Sequence, residues 1–278
     1  MEDFEGKVAV ITGASSGIGA ALARQASALG AAVVLADVDE DGLAANAAML
    51  LEEGADLMVR RTDVSDAESV RALADQAFGA YGRVDLLFNN AGVLVDGVCW
   101  ERTLDDWRWC LEVNLMGCIH GIHHFVPRMI EQQTEGAIIN TSSVAGLLAG
   151  GMLGPYTVSK HGVFALSEVL ANDLHGRGSR LQAHCLCPGA VATRIWQSEE
   201  RRPSERGPAT TLHSEAEREF RRVTADAVSG GTAPDDLAAL VFEAIRANRF
   251  HIFPHPGFLA RVEQRFAAIT GGRNPVGG

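Results

Sequence analysis

The chain has 278 residues, which suits one large domain or two small ones, and its 47% hydrophobic and 21% charged residues are typical of a globular protein. Acidic residues outnumber basic ones by 35 to 24, and the net charge of −11 argues against nucleic acid or an anionic membrane as a partner. The sequence has no apolar stretch of the roughly 20 residues that span a bilayer, and its five cysteines lack the paired spacing of a disulfide framework. Because the acidic N-terminus is also unlike a signal peptide, we expect a soluble, cytoplasmic protein.

Short β-branched runs alternate with helix-length segments along the whole chain. The predicted strands are residues 7–12, 32–37, 57–62, 84–89, 137–141, 181–187 and 250–253. The predicted helices are residues 17–29, a segment ending at about 53, 67–81, about 104–130, about 155–175, about 215–227 and 235–247. The strands are mostly apolar rather than alternating, which is typical of a parallel sheet covered by helices on both faces. No repeat or linker divides the chain, so we predict a single doubly wound α/β domain.

Residues 193–232 interrupt this alternation, because they are rich in Arg, Glu, Ser and Gly. One interpretation is a solvated surface loop. The other is a mobile lid inserted after a strand, and we favour it because long excursions in compact domains tend to be functional. The chain ends in a Gly-rich tail at about residues 257–278.

A glycine-rich turn follows the first predicted strand and opens the first helix. Such a turn lets backbone N–H groups approach a diphosphate at the positive end of a helix. The residues that we expect to form it are Gly13, Ser15, Ser16, Gly17, Ile18 and Gly19. Asp37 ends the next strand, where a carboxylate can bind both ribose hydroxyls of adenosine and repel a 2′-phosphate. A helix N-cap is the alternative role for Asp37. With no Arg or Lys in the turn and Val38 after Asp37, the sequence favours NAD over NADP.

Tyr156 and Lys160 lie four residues apart on one predicted helix, so their side chains share a face. A tyrosine has a pKa of about 10 and is a poor base at neutral pH. A neighbouring ammonium ion, with the positive nicotinamide nearby, would stabilise the phenolate and lower that pKa. Ser143 ends the preceding predicted strand. Taken alone, the Tyr-x-x-x-Lys pair would be an ordinary surface pair.

The combination of motifs is more specific than any one of them. The TGxxxGxG turn, Asn89-Asn90-Ala91-Gly92, Asn114, Ser143, Tyr156-x-x-x-Lys160 and Pro188-Gly189 occur in this order. Over about residues 5–255 the sequence resembles the classical short-chain dehydrogenase/reductase family. The resemblance implies a Rossmann-like fold with a seven-stranded parallel sheet in one domain, and a substrate lid between the last two strands.

The resemblance also implies roles for individual residues. Tyr156 would be the general acid/base, Lys160 would lower its pKa and bind the nicotinamide ribose, and Ser143 would hold the substrate oxygen. Asn114 would present a backbone carbonyl to a water in a proton relay. Besides the glycine turn, Asp37, Tyr156 and Lys160, the expected NAD contacts are Asp63, Val64, Asn90, Gly92, Pro188, Gly189, Val191 and Thr193.

The expected substrate pocket is apolar. In the family it is formed by the segments after the fourth, fifth and sixth strands and by the lid, and here we expect Leu94, Leu148, Met152 and Trp196 beside Ser143. Only Asp96 and Arg194 add charge, at the segment edges. This predicts a hydrophobic cyclic or aryl secondary alcohol as substrate, unless several of these side chains point into the core. The alternatives are a ketoreductase acting on a polar or polyketide-like carbonyl, and a non-catalytic NAD-binding regulator.

The resemblance further implies a homo-oligomer, a tetramer or possibly a dimer, in which the long helix and the helix of Tyr156 pack against symmetry mates. The apolar residues expected to supply this surface are Trp107, Ile119, Ile122 and Phe125. His120, His123 and His124 share the long helix, and an i, i+4 pair of histidines can bind zinc. Because the family needs no metal there, we predict none.

Overall fold

The computed structural model describes residues 1–208 and 211–275, and it contains one seven-stranded parallel sheet. The strands, in the spatial order β3-β2-β1-β4-β5-β6-β7, are β1 Val8–Thr12, β2 Ala32–Asp37, β3 Leu57–Arg61, β4 Leu86–Asn89, β5 Gly136–Thr141, β6 Leu181–Leu186 and β7 His251–Ile252. Because β1 lies between β2 and β4, the strand order reverses there and a crevice opens at the carboxyl ends of β1 and β4. The predicted doubly wound α/β domain is confirmed.

Helices cover both faces of the sheet. They are α1 Gly17–Ala28, α2 Glu40–Glu52, α3 Ala67–Tyr81, α4 Leu104–Leu111, α5 Gly117–Glu131, α6 Gly154–Gly176, α7 Glu215–Ser229, α8 Pro234–Arg246 and α9 Leu259–Thr270. Helices α1, α2 and α8 pack with Ala9 and Ile11 of β1, whereas α3, α5 and α6 pack with Val8 and Val10. Since successive side chains of a strand point to opposite faces, a strand covered on both faces is apolar at most of its positions. Within residues 1–208 and 211–275, no helix combines the length and apolarity needed to cross a membrane.

The predicted long helix is continuous but not uniform. Between α4 and α5 the residues Glu112–Met116 form a π-helical turn, which contains Asn114. Phe125 is fully buried in the protomer's own core, so among the apolar residues predicted for this helix it is one that packs on the protomer's own sheet. The i, i+3, i+4 pattern that marked this helix is the same for a side chain that packs on its own sheet and for one that packs on a partner.

The segment between β6 and β7 contains short 3₁₀ turns at Ile195–Arg201 and Ser204–Arg206 and then α7. We call residues 193–208 and 211–232 the lid segment. Residues 209 and 210 of the predicted lid, like residues 276–278 of the predicted tail, lie outside the described residues. The tail contains α9, which the sequence analysis did not predict. Its apolar residues Leu259, Val262, Phe266 and Ile269 have helical spacing, but the glycines around them suggested irregular structure.

Candidate active site

The glycine turn after β1 brings two stretches of backbone into close contact. Gly13 has a φ angle of +69°, and a Cβ atom there would lie 2.8 Å from the Cα atom of Ala91 in the turn after β4. A Cβ atom on Gly19 would lie 2.0 Å from the Gly13 carbonyl oxygen. Both positions therefore require glycine. Ser16 at the N-cap of α1 makes no side-chain cap, so the first N–H groups of this helix can bind an anionic group.

Asp37 closes over the glycine turn from the end of β2. Its carboxylate accepts hydrogen bonds from the backbone N–H groups of Ser15, at 3.0 Å, and Asp39, at 3.1 Å. The N-cap of α2 is Asp39, whose carboxylate accepts from the backbone N–H of Gly42. The alternative role of Asp37 as a helix cap is therefore wrong.

Arg61 is a cation near Asp37 that the sequence analysis did not consider. The register of β2 and β3 places Arg61 opposite Asp37, and both residues line the same cavity. The guanidinium lies 3.8 Å from Glu40 with both side chains largely exposed, which makes a weak, solvent-screened pair. Strand register decides this neighbourhood, and the sequence does not reveal it.

Tyr156 and Lys160 lie one turn apart on α6, as predicted. The Lys160 side chain is buried, and its Nζ atom donates a hydrogen bond of 2.8 Å to the Thr141 carbonyl at the end of β5. The same Nζ atom lies 5.7 Å from the centroid of the Tyr156 ring. Ser143, two residues after β5, donates its hydroxyl hydrogen to the Pro188 carbonyl at 3.3 Å. The three side chains therefore meet at the carboxyl end of the sheet.

Burial dominates the ionisation of this pair in the ligand-free protein. Burial raises the pKa of Tyr156 to about 12, and a hydrogen bond with the Ser143 hydroxyl offsets this only in part. Burial likewise lowers the pKa of Lys160. The sequence analysis predicted a lowered pKa for Tyr156 with the positive nicotinamide nearby, and the protein's own groups, without that charge, do not supply the lowering. Removing the phenol from water disfavours the phenolate more than the site stabilises it.

Asn114 links three parts of the site through its side chain. Its Oδ1 atom accepts from the Val93 backbone N–H at 2.8 Å, and its Nδ2 atom donates to the Val93 carbonyl and the Ser159 hydroxyl, both at 2.9 Å. A Cβ atom on Gly92 would lie 3.3 Å from Asn114 Oδ1 and 3.4 Å from Lys160 Nζ. The π-helical turn, the turn after β4 and α6 are thus held in contact, and π-helical turns are frequent at functional sites.

A cavity of about 790 Å³ runs along the carboxyl edge of the sheet. The predicted residues that line it are Gly13, Ser15, Ser16, Gly17, Ile18, Asp37, Asp63, Val64, Asn90, Gly92, Ser143, Tyr156, Lys160, Pro188, Gly189, Val191 and Thr193. Gly19 and Asn114 lie behind this lining, where they support the glycine turn and the turn after β4. One cavity therefore joins the predicted cofactor residues to the predicted catalytic side chains.

Only one of the four apolar residues predicted to contact the substrate is among the described lining residues of the cavity. Leu94 lines the cavity with Ser143, whereas Leu148, Met152 and Trp196 are not among its described lining residues. The apolar lining consists instead of Val93, Leu94, Trp109, Val113, Val144, Ala145, Leu153, Ile195, Val223, Ala227, Val228 and Phe258. Leu153 pairs with Gly97 in an isolated β-bridge, whereas Met152, its neighbour in the chain, has a left-handed backbone with a φ angle of +60°. Similarly, Ile195 and Ser198 share one face of a 3₁₀ turn, and Trp196 does not.

The charges around the pocket also differ from the prediction. Arg61, Arg201 and Arg206 line the cavity in addition to Arg194. Asp96 is instead buried beside Arg221 of α7, whose Nε atom donates to Asp96 Oδ2 at 3.0 Å. The apolar lining is thus flanked by cations on the lid segment and on β3, which spacing along the chain did not reveal.

Ion pairs anchor the lid segment to the body of the domain. Arg221 pairs with Asp96, Arg202 with Asp106 of α4, and Arg206 with Glu112. In a fourth pair the lid segment supplies the acidic partner: Glu217 lies 3.2 Å from Arg102, and both side chains are fully buried. The charged composition of this segment, which was compatible with a solvated loop, therefore serves contacts with the domain.

The carboxylate of Glu217 is stabilised by several hydrogen bonds and by a neighbouring charge. Burial alone would raise the pKa of its carboxyl group, but hydrogen bonds from the backbone N–H groups of Ser214, Val98 and His213 and the charge of Arg102 lower it to about 2. The contribution of this carboxylate to stability is complete above its ordinary pKa of 4.5 and is lost as the pH falls toward 2. The anchor is therefore intact throughout the neutral range.

The histidines of α5 have separate environments. His120 Nδ1 lies 2.9 Å from the Val64 carbonyl, and the His123 and His124 rings meet edge to face at 4.8 Å. Across the residues that the structure describes, no group of three or more His, Cys, Asp or Glu side chains is placed to hold a metal ion. The geometry assigns His120 a local role, because its bond to Val64 supports a turn that lines the cavity.

Comparison with known proteins gives a consistent picture. The sequence model of the short chain dehydrogenase family matches residues 7–204. A CLA biosynthesis dehydrogenase/reductase of Lactiplantibacillus plantarum is 34% identical over 97% of this chain and 95% of its own length. A 1-deoxy-11-beta-hydroxypentalenate dehydrogenase of Streptomyces exfoliatus is 35% identical over 94% of this chain and 87% of its own.

A solved structure extends the likeness to the fold. The crystal structure of a short chain dehydrogenase/reductase from Burkholderia phymatum in complex with NAD has a TM-score of 0.96 and 44% sequence identity to this chain. The match covers 99% of this chain and 98% of the Burkholderia phymatum chain. The likeness thus includes the lid segment and the tail as well as the sheet.

Proposed function

This chain belongs to the short-chain dehydrogenase/reductase family, and on that premise we propose that it is an NAD-dependent oxidoreductase that interconverts a secondary alcohol and its ketone by hydride transfer. The observation that carries the proposal is the single cavity in which a glycine-rich anion cradle adjoins Tyr156, Lys160 and Ser143. A protein that only senses the dinucleotide has no need of a buried lysine beside a buried tyrosine, so we set the regulator hypothesis aside.

The residues of the cavity fit a dinucleotide. The closely packed turn at Gly13 and the free N–H groups at the start of α1 suit a diphosphate. Asp37 would accept hydrogen bonds from the adenosine ribose, beside Asp63 and Val64. Asn90, Gly92 and the segment from Pro188 to Thr193, which all line the cavity apart from Ala192, would hold the nicotinamide half. That the predicted NAD contacts other than Gly19 line one cavity supports the proposal.

Bound NAD would supply the hydride acceptor. Tyr156 would take the hydroxyl proton of the alcohol, and Ser143 would hold the same oxygen. Lys160 would bind the nicotinamide ribose through Nζ and favour the phenolate by its charge, countering the effect of burial on Tyr156. The backbone carbonyl of Asn114 would hold the water that passes the proton onward. For ketone reduction the same groups would act in reverse, so the residues do not select a physiological direction.

We infer a hydrophobic cyclic or aryl secondary alcohol as the substrate. The apolar lining from the turn after β4, from α4 and from the lid segment supports this inference, because burial of apolar surface favours binding by roughly 25 cal/mol per Å². The similarity to a dehydrogenase whose name refers to a hydroxypentalenate is consistent with it. The lid segment would cover such a substrate.

We also propose that the protein is a homo-oligomer, a tetramer or else a dimer. Val158 and Val169 on α6 are about half exposed, and their separation of three helical turns places them on one face. Met116 of the π-helical turn and Leu104 of α4 are further exposed apolar side chains. These residues, rather than Phe125, would meet a symmetry mate.

Replacing Tyr156 by Phe should lower kcat for alcohol oxidation by a factor of about 100 or more, because the ring remains and only the proton acceptor is lost. NAD affinity should change little. Tyr81→Phe is the matched control, since the Tyr81 hydroxyl donates to Asp56, a residue that does not line the cavity. With NAD bound, wild-type kcat should rise with pH through one ionisation below about 10, because oxidation requires the phenolate. A Tyr156→Phe enzyme with a tenth of wild-type kcat would show that another group is the base.

The enzyme should prefer NAD to NADP by about a hundredfold in kcat/KM, because a 2′-phosphate would meet the Asp37 carboxylate. Asp37→Ala should narrow this preference. Arg61→Ala in the Asp37→Ala background should restore part of the preference for NAD, because it removes a cation opposite position 37 that would attract a 2′-phosphate. Asp41→Ala, at an exposed carboxylate of α2, is the control. Equal kcat/KM with the two cofactors in the wild type would contradict the assignment.

A cyclic apolar alcohol should be oxidised with a higher kcat/KM than sorbitol or a 3-hydroxy acid. Ile195→Ala should reduce kcat/KM for the apolar alcohol by about tenfold, because it removes methyl and methylene groups from the lining. Trp196→Ala should have little effect, since this side chain lies outside the lining. A tenfold advantage for the polar substrates would overturn the inferred substrate class.

The oligomer is tested by light scattering at micromolar concentration, where the mass should be a multiple of the 29.5 kDa protomer. Val158→Glu should shift this mass downward, because a buried carboxylate without a partner is costly. Val223→Glu, at an exposed position on the lid segment, is the control. A wild-type monomer under these conditions would rule out the proposed assembly.

A further inference from the structure

His255 occupies a junction between three segments that are distant in sequence. It lies just before α9, and its ring contacts both the turn after β6 and the end of the lid segment. Its Nδ1 atom accepts a hydrogen bond of 3.0 Å from the backbone N–H of Gly189. Its Nε2 atom lies 2.8 Å from the hydroxyl oxygen of Thr232. Both ring nitrogens are therefore engaged.

The partners fix the protonation state of the ring. A backbone N–H can only donate, so Nδ1 must be unprotonated and the hydrogen of the neutral ring must lie on Nε2. Nε2 then donates to the Thr232 hydroxyl. A protonated Nδ1 would face the Gly189 N–H with a second donor and abolish that bond. The junction thus requires the neutral ring in one tautomer.

The residues around His255 pack so closely that a shift of its ring would displace its neighbours. A Cβ atom on Gly189 would lie 2.8 Å from Cε2 of the Phe258 ring, which lines the cavity. Thr232 is also joined to the same turn through its backbone, since its N–H donates to the Ala190 carbonyl and its carbonyl accepts from the Ala192 N–H. The lid segment therefore ends on the stretch that lines the cofactor cavity.

The turn held by His255 continues directly to a catalytic group. The Pro188 carbonyl, adjacent to Gly189, accepts from the Ser143 hydroxyl and from the Val144 N–H at 2.9 Å. Displacement of Gly189 would therefore move an acceptor of Ser143 and the surface proposed for the nicotinamide half. His255 itself does not line the cavity, so it acts only through these neighbours.

From these contacts, we propose that His255 is a positioning residue that couples the end of the lid segment to the Pro188–Gly189 turn and thereby sets the geometry of the bound nicotinamide. The inference rests on the proposed NAD-dependent function. It differs from that function in predicting an effect of a residue that touches neither the cofactor nor the substrate.

The test uses the full-length enzyme and titrates NAD alone, followed by kinetics with a cyclic alcohol. His255→Phe keeps a ring of similar size but has no acceptor, and it should weaken NAD binding and lower kcat by about tenfold each. His255→Asn places an amide oxygen near the former Nδ1 position, so it should recover NAD affinity to within about threefold of wild type. Thr232→Val removes only the second bond and should lower kcat with a smaller effect on NAD affinity. His251→Asn, in the same segment but without a contact to the turn, is the control.

A spectroscopic measurement separates positioning from simple stabilisation. In ¹⁵N-histidine NMR, His255 should show the neutral Nε2–H tautomer in the ligand-free protein. If wild type binds and uses NAD while His255→Phe lowers only the melting temperature, the coupling is refuted and the proposed function stands. If wild type fails to bind NAD, the proposed function and the coupling both fail. Should His255→Phe not fold, wild-type kcat in Thr232→Val, or an Nδ1–H tautomer of His255, would overturn the proposal.

Discussion

The buried ammonium group of Lys160 is the constraint around which the site is arranged. A cation that is 2% exposed is costly unless polar groups surround it, and the Thr141 carbonyl at the end of β5 supplies one. Glycine at position 92 leaves room for these groups, because a Cβ atom there would lie 3.3 Å from Asn114 Oδ1 and 3.4 Å from Nζ. β5, the turn after β4 and α6 are therefore fixed relative to one another. In the function proposed above, the charge of Lys160 would favour the phenolate of Tyr156, whose ring centroid lies 5.7 Å from Nζ.

The lid segment shows how a polar sequence can form a specific structure. Its arginines and Glu217 pair with residues in the α4 region, and the Arg102–Glu217 pair is fully buried. Isolated pairs at a surface would contribute little, but a buried carboxylate with three backbone N–H donors would leave several groups unsatisfied if it moved. The lid segment is consequently anchored at defined points. Between those points, Ile195, Val223 and other apolar residues of the segment face the cavity, together with Arg194, Arg201 and Arg206.

The fold could be predicted from the sequence, and the expected NAD contacts other than Gly19 line one cavity, whereas Leu148, Met152 and Trp196 are not among its described lining residues. β1, α3 and the Tyr156 helix are specified by local patterns, and the cofactor residues by glycine positions that sterics impose. Arg61 escaped notice because strand register is a tertiary property. Leu153 and Ile195 line the cavity in place of their chain neighbours Met152 and Trp196. An irregular segment has no period from which the direction of a side chain can be inferred. The pKa of Tyr156 depends on burial, which the residue pair alone does not reveal.

The two halves of the cavity share a single boundary segment. At the cofactor end, Val191 and Thr232 form a β-bridge that joins the lid segment to the turn after β6. At the substrate end, Ser198 accepts from the Leu94 N–H, and Glu217 accepts from the Val98 N–H, so the same segment is held to the turn after β4. A substrate beneath Ile195 and Val223 would therefore contact residues whose position is set from both ends. Because one of those ends is the surface proposed for the nicotinamide half, the apolar pocket and the cofactor surface cannot be rearranged independently.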